Sequence, residues 1–253
     1  MPARALVRPP GRTYTEALTR QAPPPPVSVE AARSQHAAYV AALRAIGVEV
    51  LELPADDSHP DAVFVQDRIC VIDGRAILGR SAVASRCGEE RPLVEALERL
   101  YPIVELRLPA VLDWGDVLVT SQALFVGLSE RSNAAAVEQL SSLLAPSRSV
   151  EGVAVPPDLL HLLSGCSRLE DELVLSVASL EDVWRSRGLR TIRVGPGEEL
   201  CGNVLAVGRQ VVVPAGYPRT SAAIERAGLR VHAVPVGEFE KRDGGVTCLS
   251  VLY

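Results

Sequence analysis

The sequence predicts an α/β protein in which one strand-strand-helix-strand unit occurs five times around a central cleft. Paired β-rich runs, each followed by a segment with helical spacing and a short alternating strand, recur at a spacing of roughly 40–54 residues. The fifth unit meets the end of the chain with one strand missing, and residues 5–8 near the N-terminus can supply that strand. We therefore predict that the units close into a ring, which removes exposed sheet edges and leaves an axial cleft for a ligand.

The paired strands are predicted from runs rich in β-branched and aliphatic residues on either side of short turns. The first pair turns at Asp73-Gly74, a dipeptide typical of two-residue hairpins. This pair spans residues 61–80, the next three span residues 116–127, 162–179 and 203–214, and the fifth begins within residues 245–252.

Helices are predicted where apolar residues are spaced three and four apart. These segments are residues 28–46, 90–100, 133–144, 180–187 and 220–227, and the strands after them are residues 48–54, 103–109, 150–156, 191–194 and 231–236. The proline run at residues 23–26 predicts a loop that is either a lid or a spacer. An ordinary α+β domain whose hairpins merely look alike is the alternative to the ring.

Composition and charge exclude several classes of protein. With 253 residues, 47% of them apolar, the chain can bury a large core in one or two domains, and intrinsic disorder is excluded. No apolar run is long enough to span a membrane, and the N-terminus lacks the apolar segment of a signal peptide. A net charge of −5 and 4% aromatic residues argue against nucleic-acid binding. We expect a cytoplasmic protein with no nucleic-acid or membrane partner, present as a monomer or homodimer.

Two residues are candidates for catalysis on their position alone. Among four histidines, His161 begins the third strand pair within a run of leucines, where a histidine suits a hydrogen-bonded core position as well as a catalytic one. The five cysteines are odd in number and widely spaced, without a Cys-x-x-Cys pair, so neither a zinc knuckle nor a disulfide framework is indicated. Cys248 follows two glycines at the start of the fifth unit, where another backbone or a ligand can approach closely.

Carboxylates cluster at equivalent places in the first two units. Asp61 and Asp67 flank the first strand of unit one, and Asp113 and Asp116 flank Trp114-Gly115 at the opening of unit two. If equivalent strand starts surround one axis, Asp61, Asp67 and Asp113 meet His161 and Cys248 in one cleft. Buried acids are unfavourable unless a cation accompanies them, so the pattern predicts a guanidinium or ammonium ligand. Strand-end capping and turn chemistry are the alternative explanation for the acids.

These residues lie in segments that resemble the dimethylarginine dimethylaminohydrolases, members of the guanidino-group-modifying superfamily. The matching segments are residues 51–56, 60–67, 127–133, 213–220 and 243–250, and the resemblance runs nearly end to end. It implies the pentein fold, a five-bladed α/β propeller of five pseudo-symmetric ββαβ units, as a single domain over residues 1–253.

The resemblance also implies a role for each site residue. Cys248 is the nucleophile, His161 the general acid and base, and Asp113 the acid that orients the histidine. The remaining implied residues bind the substrate. They are Asp67 at the guanidinium, Asp61, Arg80 and Arg131 at the amino-acid head group, Leu18 on a lid loop, and the backbone carbonyl of Arg242 near the nucleophile.

Three positions depart from the family pattern. Gln66, at a substrate-binding position, stands where a glutamate is usual, which removes one negative charge beside the guanidinium. Leu163 replaces a lysine two residues after the histidine, and Trp114 occupies a position that is usually glycine or alanine. None of the three removes a catalytic group, but together they leave the particular guanidine substrate open.

The implied reaction is hydrolysis of asymmetric dimethylarginine and monomethylarginine to citrulline and dimethylamine or methylamine. A cysteine thiolate would attack the guanidinium carbon and form a covalent S-alkylthiouronium intermediate, and no step requires a metal or an organic cofactor. The implied partner is a small guanidino amino acid. An arginine deiminase-like enzyme and a non-catalytic pentein that binds a ligand are the alternatives.

Overall fold

The computed structural model describes residues 3–253 as fifteen strands in five separate three-stranded sheets. The strands are β1 (Arg4–Val7), β2 (Glu49–Glu52), β3 (Ile69–Ile72), β4 (Arg75–Leu78), β5 (Ile103–Glu105), β6 (Val117–Val119), β7 (Ala123–Leu128), β8 (Ser149–Ala154), β9 (Cys166–Glu170), β10 (Leu173–Ser176), β11 (Arg190–Arg193), β12 (Leu205–Val207), β13 (Gln210–Pro214), β14 (Arg230–Val234) and β15 (Ser250–Leu252). The α-helices are α1 (Val29–Ala45), α2 (Arg91–Leu97), α3 (Ala134–Leu144), α4 (Leu162–Gly165), α5 (Glu181–Arg185), α6 (Pro218–Arg226) and α7 (Gly237–Glu240). Turns of 3₁₀ helix lie at Arg12–Glu16, Val65–Asp67, Ala84–Arg86, Trp114–Asp116, Ala178–Leu180, Glu199–Gly202 and Thr247–Leu249.

All five sheets share one topology. The middle strand pairs antiparallel with the first strand and parallel with the third. A helix connects the middle and third strands, as a parallel pair requires a crossover. The sheets are β15-β1-β2, β3-β4-β5, β6-β7-β8, β9-β10-β11 and β12-β13-β14, so the predicted five-unit α/β propeller is confirmed.

The two ends of the chain meet in one sheet. β1 pairs antiparallel with β15, with Ala5 opposite Leu252 and Leu6 opposite Val251. The Tyr253 N–H donates to the Arg4 carbonyl at 2.8 Å at the end of this pair. The N-terminal strand therefore completes the fifth unit, as the sequence predicts, and the ring is closed.

Local sequence explains where several elements begin and turn. Asp73 and Gly74 both have positive φ, 48° and 72°, which is the conformation of the predicted two-residue hairpin. The Ser28 hydroxyl accepts from the Ala31 N–H and begins α1. Several boundaries differ from prediction. α2 ends at Leu97 instead of residue 100, and the strand after it ends at Glu105 instead of residue 109. The first strand pair begins at Ile69 instead of residue 61, and the third begins at Cys166 because α4 takes up residues 162–165.

A single turn of helix precedes the first strand of every unit. These five inner turns are Val65–Asp67, Trp114–Asp116, α4, Glu199–Gly202 and Thr247–Leu249. Consecutive inner turns contact each other, and a hydrogen bond from Asn203 to Thr247 joins the fourth to the fifth. The inner turns thus surround the pseudo-fivefold axis and place their side chains next to it.

The apolar core fills the space between the sheets and the outer helices. α3, for example, buries Ala136, Leu140 and Leu144 in one cluster with Leu124 and Val126 of β7. Within residues 3–253, no helix has the length and apolar character needed to cross a membrane. All five cysteines carry free thiols, and no three His, Cys, Asp or Glu side chains of the described residues are grouped so as to hold a metal ion.

Candidate active site

A cavity of about 130 Å³ lies at one end of the axis, against the inner turns. Its walls come from units one, two, three and five and from the loop after residue 16. The predicted site residues that line it are Leu18, Asp61, Asp67, Arg131, His161, Arg242 and Cys248. The structure thus brings a thiol, an imidazole and two carboxylates into one pocket, while Gln66, Arg80 and Asp113 are not among its lining residues.

Cys248 sits in the fifth inner turn, and close packing of glycines positions that turn. A Cβ on Gly244 would lie 2.3 Å from the Phe64 ring. Only glycine therefore lets the backbone come this close to the ring. The Gly245 N–H donates to Cys248 Sγ at 3.4 Å. Burial and the Asp67 charge raise the pKa of the Cys248 thiol to about 12, against the smaller opposing effects of this N–H and of Arg86.

His161 caps the start of α4, and its imidazole faces a buried carboxylate. His161 Nδ1 lies 3.2 Å from Asp116 Oδ2, and the Leu162 N–H donates to Asp116 Oδ1 at 3.0 Å. The Ser129 and Ser132 hydroxyls also donate to Asp116. Burial by itself lowers the pKa of His161, but the Asp116 hydrogen bond and the charges of the nearby acids outweigh it and raise the pKa above its usual value.

The structure corrects the assignment of Asp113 as the acid that orients His161, because Asp116 makes that contact. Asp113 lies just before the second inner turn in extended backbone, and its carboxylate points to two arginines. Arg68 donates to Asp113 Oδ1 at 3.4 Å, and the Arg131 guanidinium lies 3.6 Å from Oδ2. Burial and the Asp67 charge raise the pKa of Asp113.

A second correction concerns the arginine that unit one supplies to the cavity. Arg80 is exposed and lies outside the cavity, and its carbonyl accepts from the Leu112 N–H. Arg86, which the sequence analysis did not select, lines the cavity and is buried. It donates to Asp67 Oδ2 at 2.7 Å and to Glu89 Oε2 at 2.9 Å. The signal in the sequence was weak: an Arg-x-x-Glu spacing in a polar stretch without strand or helix periodicity.

Asp67 lines the cavity and has one oxygen without a hydrogen-bond partner. Oδ2 is bound by Arg86, whereas Oδ1 is buried and unpaired. A Cβ on Gly115 would lie 2.9 Å from Oδ1, so this oxygen packs closely against the second inner turn. Burial opposes ionisation of Asp67, but the charges of Arg86 and His161 hold its pKa below the usual value. The second acid, Asp61, accepts from the Leu18 N–H at 3.1 Å.

The three departures from the family pattern lie away from this cavity. The Gln66 amide donates to the Trp114 carbonyl at 2.8 Å and lines, with Leu163, a second cavity of about 240 Å³ bounded by inner strands of all five units. Gln66 is thus not among the residues that line the cavity with Cys248, and its contact with the substrate stays a prediction. The Trp114 indole is buried in the apolar core and donates to the Ile77 carbonyl at 3.0 Å.

The loop after residue 16 contributes to the cavity wall just before the proline run, whose role as a lid or a spacer stays a prediction. Leu18, Thr19 and Arg20 line the cavity. The Arg20 N–H donates to Asp243 at 2.6 Å, and its guanidinium donates to the Pro157 carbonyl at 2.9 Å. The loop is thereby bonded to both the Cys248 side and the His161 side of the mouth.

Comparisons with known proteins agree with this geometry. A family model described as N,N-dimethylarginine dimethylhydrolase, eukaryotic, matches residues 21–150. The dimethylarginine dimethylaminohydrolase of Streptomyces coelicolor is 38% identical over 99% of this chain and 97% of its own. That of Pseudomonas aeruginosa is 31% identical over 98% of both chains.

Solved structures give the same result. A cysteine-to-serine variant of the Pseudomonas aeruginosa enzyme complexed with citrulline has a TM-score of 0.93 and 31% identity, with full coverage of both chains. A dimethylarginine dimethylaminohydrolase in which a histidine is replaced by glycine, an adduct with S-methyl-L-thiocitrulline, has a TM-score of 0.94 and 30% identity over both chains.

The closed ring of five units and the site at its axis define a hydrolase of the guanidino-group-modifying class with the pentein fold. Cysteine, histidine and paired carboxylates are the groups that chemistry on a guanidinium carbon requires. Within this class, the chain belongs to the dimethylarginine dimethylaminohydrolase family.

Proposed function

We propose that the protein hydrolyses asymmetric dimethylarginine and monomethylarginine to citrulline and dimethylamine or methylamine. The observation that carries the proposal is that Cys248, His161 and Asp67 line one cavity, and that Asp67 has an oxygen without a hydrogen-bond partner. The Pseudomonas aeruginosa relative complexed with citrulline, the proposed product, supports it.

The acids of the cavity account for binding of the substrate cation. The guanidinium donates to Asp67 Oδ1, while Arg86 keeps Oδ2 and fixes the carboxylate plane. Arg131 and Arg86 supply planar donors for the α-carboxylate, and Asp61 accepts from the α-ammonium. A cation between two carboxylates also balances charge that would otherwise be buried alone.

The same cation activates the nucleophile. With its pKa raised by burial, Cys248 is a neutral thiol in the empty site. A bound guanidinium favours loss of the thiol proton to solvent, and the Gly245 N–H stabilises the resulting thiolate. The thiolate then attacks the guanidinium carbon to give a tetrahedral adduct.

His161 moves the protons of both half-reactions. Asp116 binds Nδ1, which leaves Nε2 for catalysis, and the raised pKa keeps the imidazole protonated. The imidazolium donates its proton to the departing amine as the C–N bond breaks, leaving an S-alkylthiouronium on Cys248. Neutral His161 next takes a proton from water, whose oxygen attacks the same carbon, and the C–S bond breaks to release citrulline. The relative that forms an adduct after losing a histidine supports this covalent route.

Product analysis tests the proposal. The protein is incubated in parallel with asymmetric dimethylarginine, monomethylarginine and arginine, and citrulline and the released amine are quantified. We expect citrulline in equal amount to dimethylamine or methylamine; ammonia from arginine as the main product would instead identify a deiminase. Cys248→Ser should abolish turnover, whereas the matched control Cys87→Ser, an exposed thiol outside the cavity, should leave it unchanged. Activity that survives in Cys248→Ser contradicts the assigned nucleophile.

A further inference from the structure

Among the described residues, the fourth unit is the one unit that contributes no residue to the lining of the catalytic cavity. Among residues 3–253, the lining side chains come from units one, two, three and five and from the covering loop. The fourth turn, Glu199–Gly202, is followed at once by Asn203, which is buried with 6% of its surface exposed. A buried side-chain amide is expected to have hydrogen-bond partners for its oxygen and its nitrogen.

Asn203 bonds to both neighbouring units. Its Nδ2 donates to the Leu163 carbonyl at 3.0 Å and to Thr247 Oγ1 at 2.7 Å, and its Oδ1 accepts from the Thr247 N–H at 2.9 Å. A carbonyl can only accept and an N–H can only donate, so these partners fix which amide atom is oxygen and which is nitrogen.

The two segments that Asn203 joins are the catalytic ones. Leu163 follows His161 by two residues in α4, and Thr247 directly precedes Cys248. Packing on both sides is tight: a Cβ on Gly245 would lie 2.4 Å from Asn203, and one on Gly202 would lie 3.0 Å from the Gly165 backbone. The spacing between the His161 and Cys248 segments therefore depends on the length of one amide side chain.

We propose that Asn203 is a positioning residue, which holds the His161 imidazole in reach of the leaving group on the Cys248 adduct. This inference rests on the proposed function. Asn203 does not line the cavity and acts through the Leu163 and Thr247 backbones. Asn203 should affect the rate of the step in which the imidazolium protonates the departing amine. That step requires the imidazole to be correctly positioned relative to the carbon bound to Cys248.

The test compares two leaving groups in one variant. Dimethylamine must be protonated to leave, whereas methanethiolate from S-methyl-L-thiocitrulline leaves with little help from an acid. In Asn203→Ala, with enzyme in excess, we expect first-turnover release of dimethylamine to fall about 10- to 100-fold. Release of methanethiol should fall less than about threefold, because it depends little on the imidazole.

Ser167→Ala is the matched control. Ser167 also joins the third and fourth units, since its hydroxyl donates to the Gly202 carbonyl at 2.8 Å and accepts from the Val204 N–H at 2.9 Å. It is equally buried but does not touch the Cys248 segment. This variant should lower the free energy of unfolding yet keep the ratio of the two release rates. An Asn203→Ala variant with both rates reduced equally, or with a ratio like that of Ser167→Ala, overturns the proposal.

Two further measurements keep the outcome decisive. If Asn203→Ala does not fold, Asn203→Asp retains the shape and the Thr247 contact but loses the donor to Leu163, and the same change in ratio is expected. If the wild-type protein releases no amine, the proposed function fails, and alkylation of Cys248 by iodoacetamide still tests the inference. Asn203→Ala should then accelerate alkylation several-fold through a loosened Cys248 turn, whereas Ser167→Ala should not. Equal alkylation rates would overturn the inference.

Discussion

At the residue scale, we expect the carboxylate that faces His161 to set the pH range over which the proposed reaction proceeds. Asp116 contacts Nδ1, and its hydrogen bond and charge raise the pKa of His161. The imidazolium required for amine protonation therefore persists to higher pH than it would in a free histidine. Activity should fall with rising pH only once this raised pKa is passed.

Asp116→Asn tests this dependence. The variant loses the charge that favours imidazolium, so the pKa of His161 falls and the decline in kcat on the alkaline side should move to lower pH. At neutral pH we expect kcat to fall by at least about tenfold. Asp113→Asn is the control, since that carboxylate binds Arg68 and Arg131, and its smaller effect on His161 should shift the profile less. An equal shift in both variants would contradict the role given to Asp116.

Sequence reasoning correctly placed in the cavity those residues whose backbone position alone brings them there. Cys248, His161 and Asp67 all belong to strand starts, and a ring of equivalent units brings strand starts together whatever the side-chain rotamers are. Asp113 and Asp116 lie on one turn, and which of them faces the imidazole depends on side-chain direction. Arg86 reaches Asp67 from a non-periodic segment, so neither spacing nor pattern could identify it.

At the scale of elements, one guanidinium binds both ends of the covering loop. Arg242 is buried and donates to the Thr15 carbonyl at 2.8 Å and to the Pro25 carbonyl at 3.0 Å, the two ends of the loop. Its side chain therefore supports the loop, beyond the backbone contact that the sequence analysis expected. The tip is bonded separately, through Leu18 to Asp61 and Arg20 to Asp243.

Arg242→Met should free both ends of the loop while leaving its tip residues intact. We expect KM for the substrate to rise about tenfold, in line with the loss of two buried charge-assisted hydrogen bonds, and kcat to change less. Cleavage by trypsin after Arg20 should become faster, because a mobile loop is accessible to protease. The control is Arg75→Met, whose guanidinium donates to the Leu143 carbonyl at 2.9 Å outside the cavity and should leave both measurements unchanged. Unchanged cleavage in Arg242→Met would show that the loop is held by other contacts.

The elements that carry the site were also the least predictable ones. Long helices such as α1 and α3 have enough residues to show a period, and their bounds agree with the prediction within one or two residues. An inner turn of three or four residues has no period to detect. The sequence therefore located the five strand pairs but not the single turns in front of them, which direct Asp67, His161 and Cys248 to the axis.

At the scale of the whole molecule, the ring has no structurally unique starting point. The natural ends separate two strands of one hairpin, β15 and β1, and backbone hydrogen bonds between Arg4 and Tyr253 hold those ends together. Every other unit keeps the equivalent hairpin intact. The stability of the fold and the assembly of the site should therefore depend on the contacts between units around the axis. The position of the chain ends should matter less.

A circular permutant tests this property of the ring. A short glycine-serine linker joins Tyr253 to residue 3, and new ends open in the exposed turn at residues 171–172, between β9 and β10. We expect a single cooperative unfolding transition, consistent with the predicted single domain, and turnover within a few-fold of the natural chain.

The control opens the same linked chain between Gly202 and Asn203, which severs the fourth inner turn from Asn203. This cut should lower turnover far more than the first one, although both leave the amino-acid content unchanged. Equal loss in the two permutants would mean that chain continuity, and not the contacts around the axis, holds the site together.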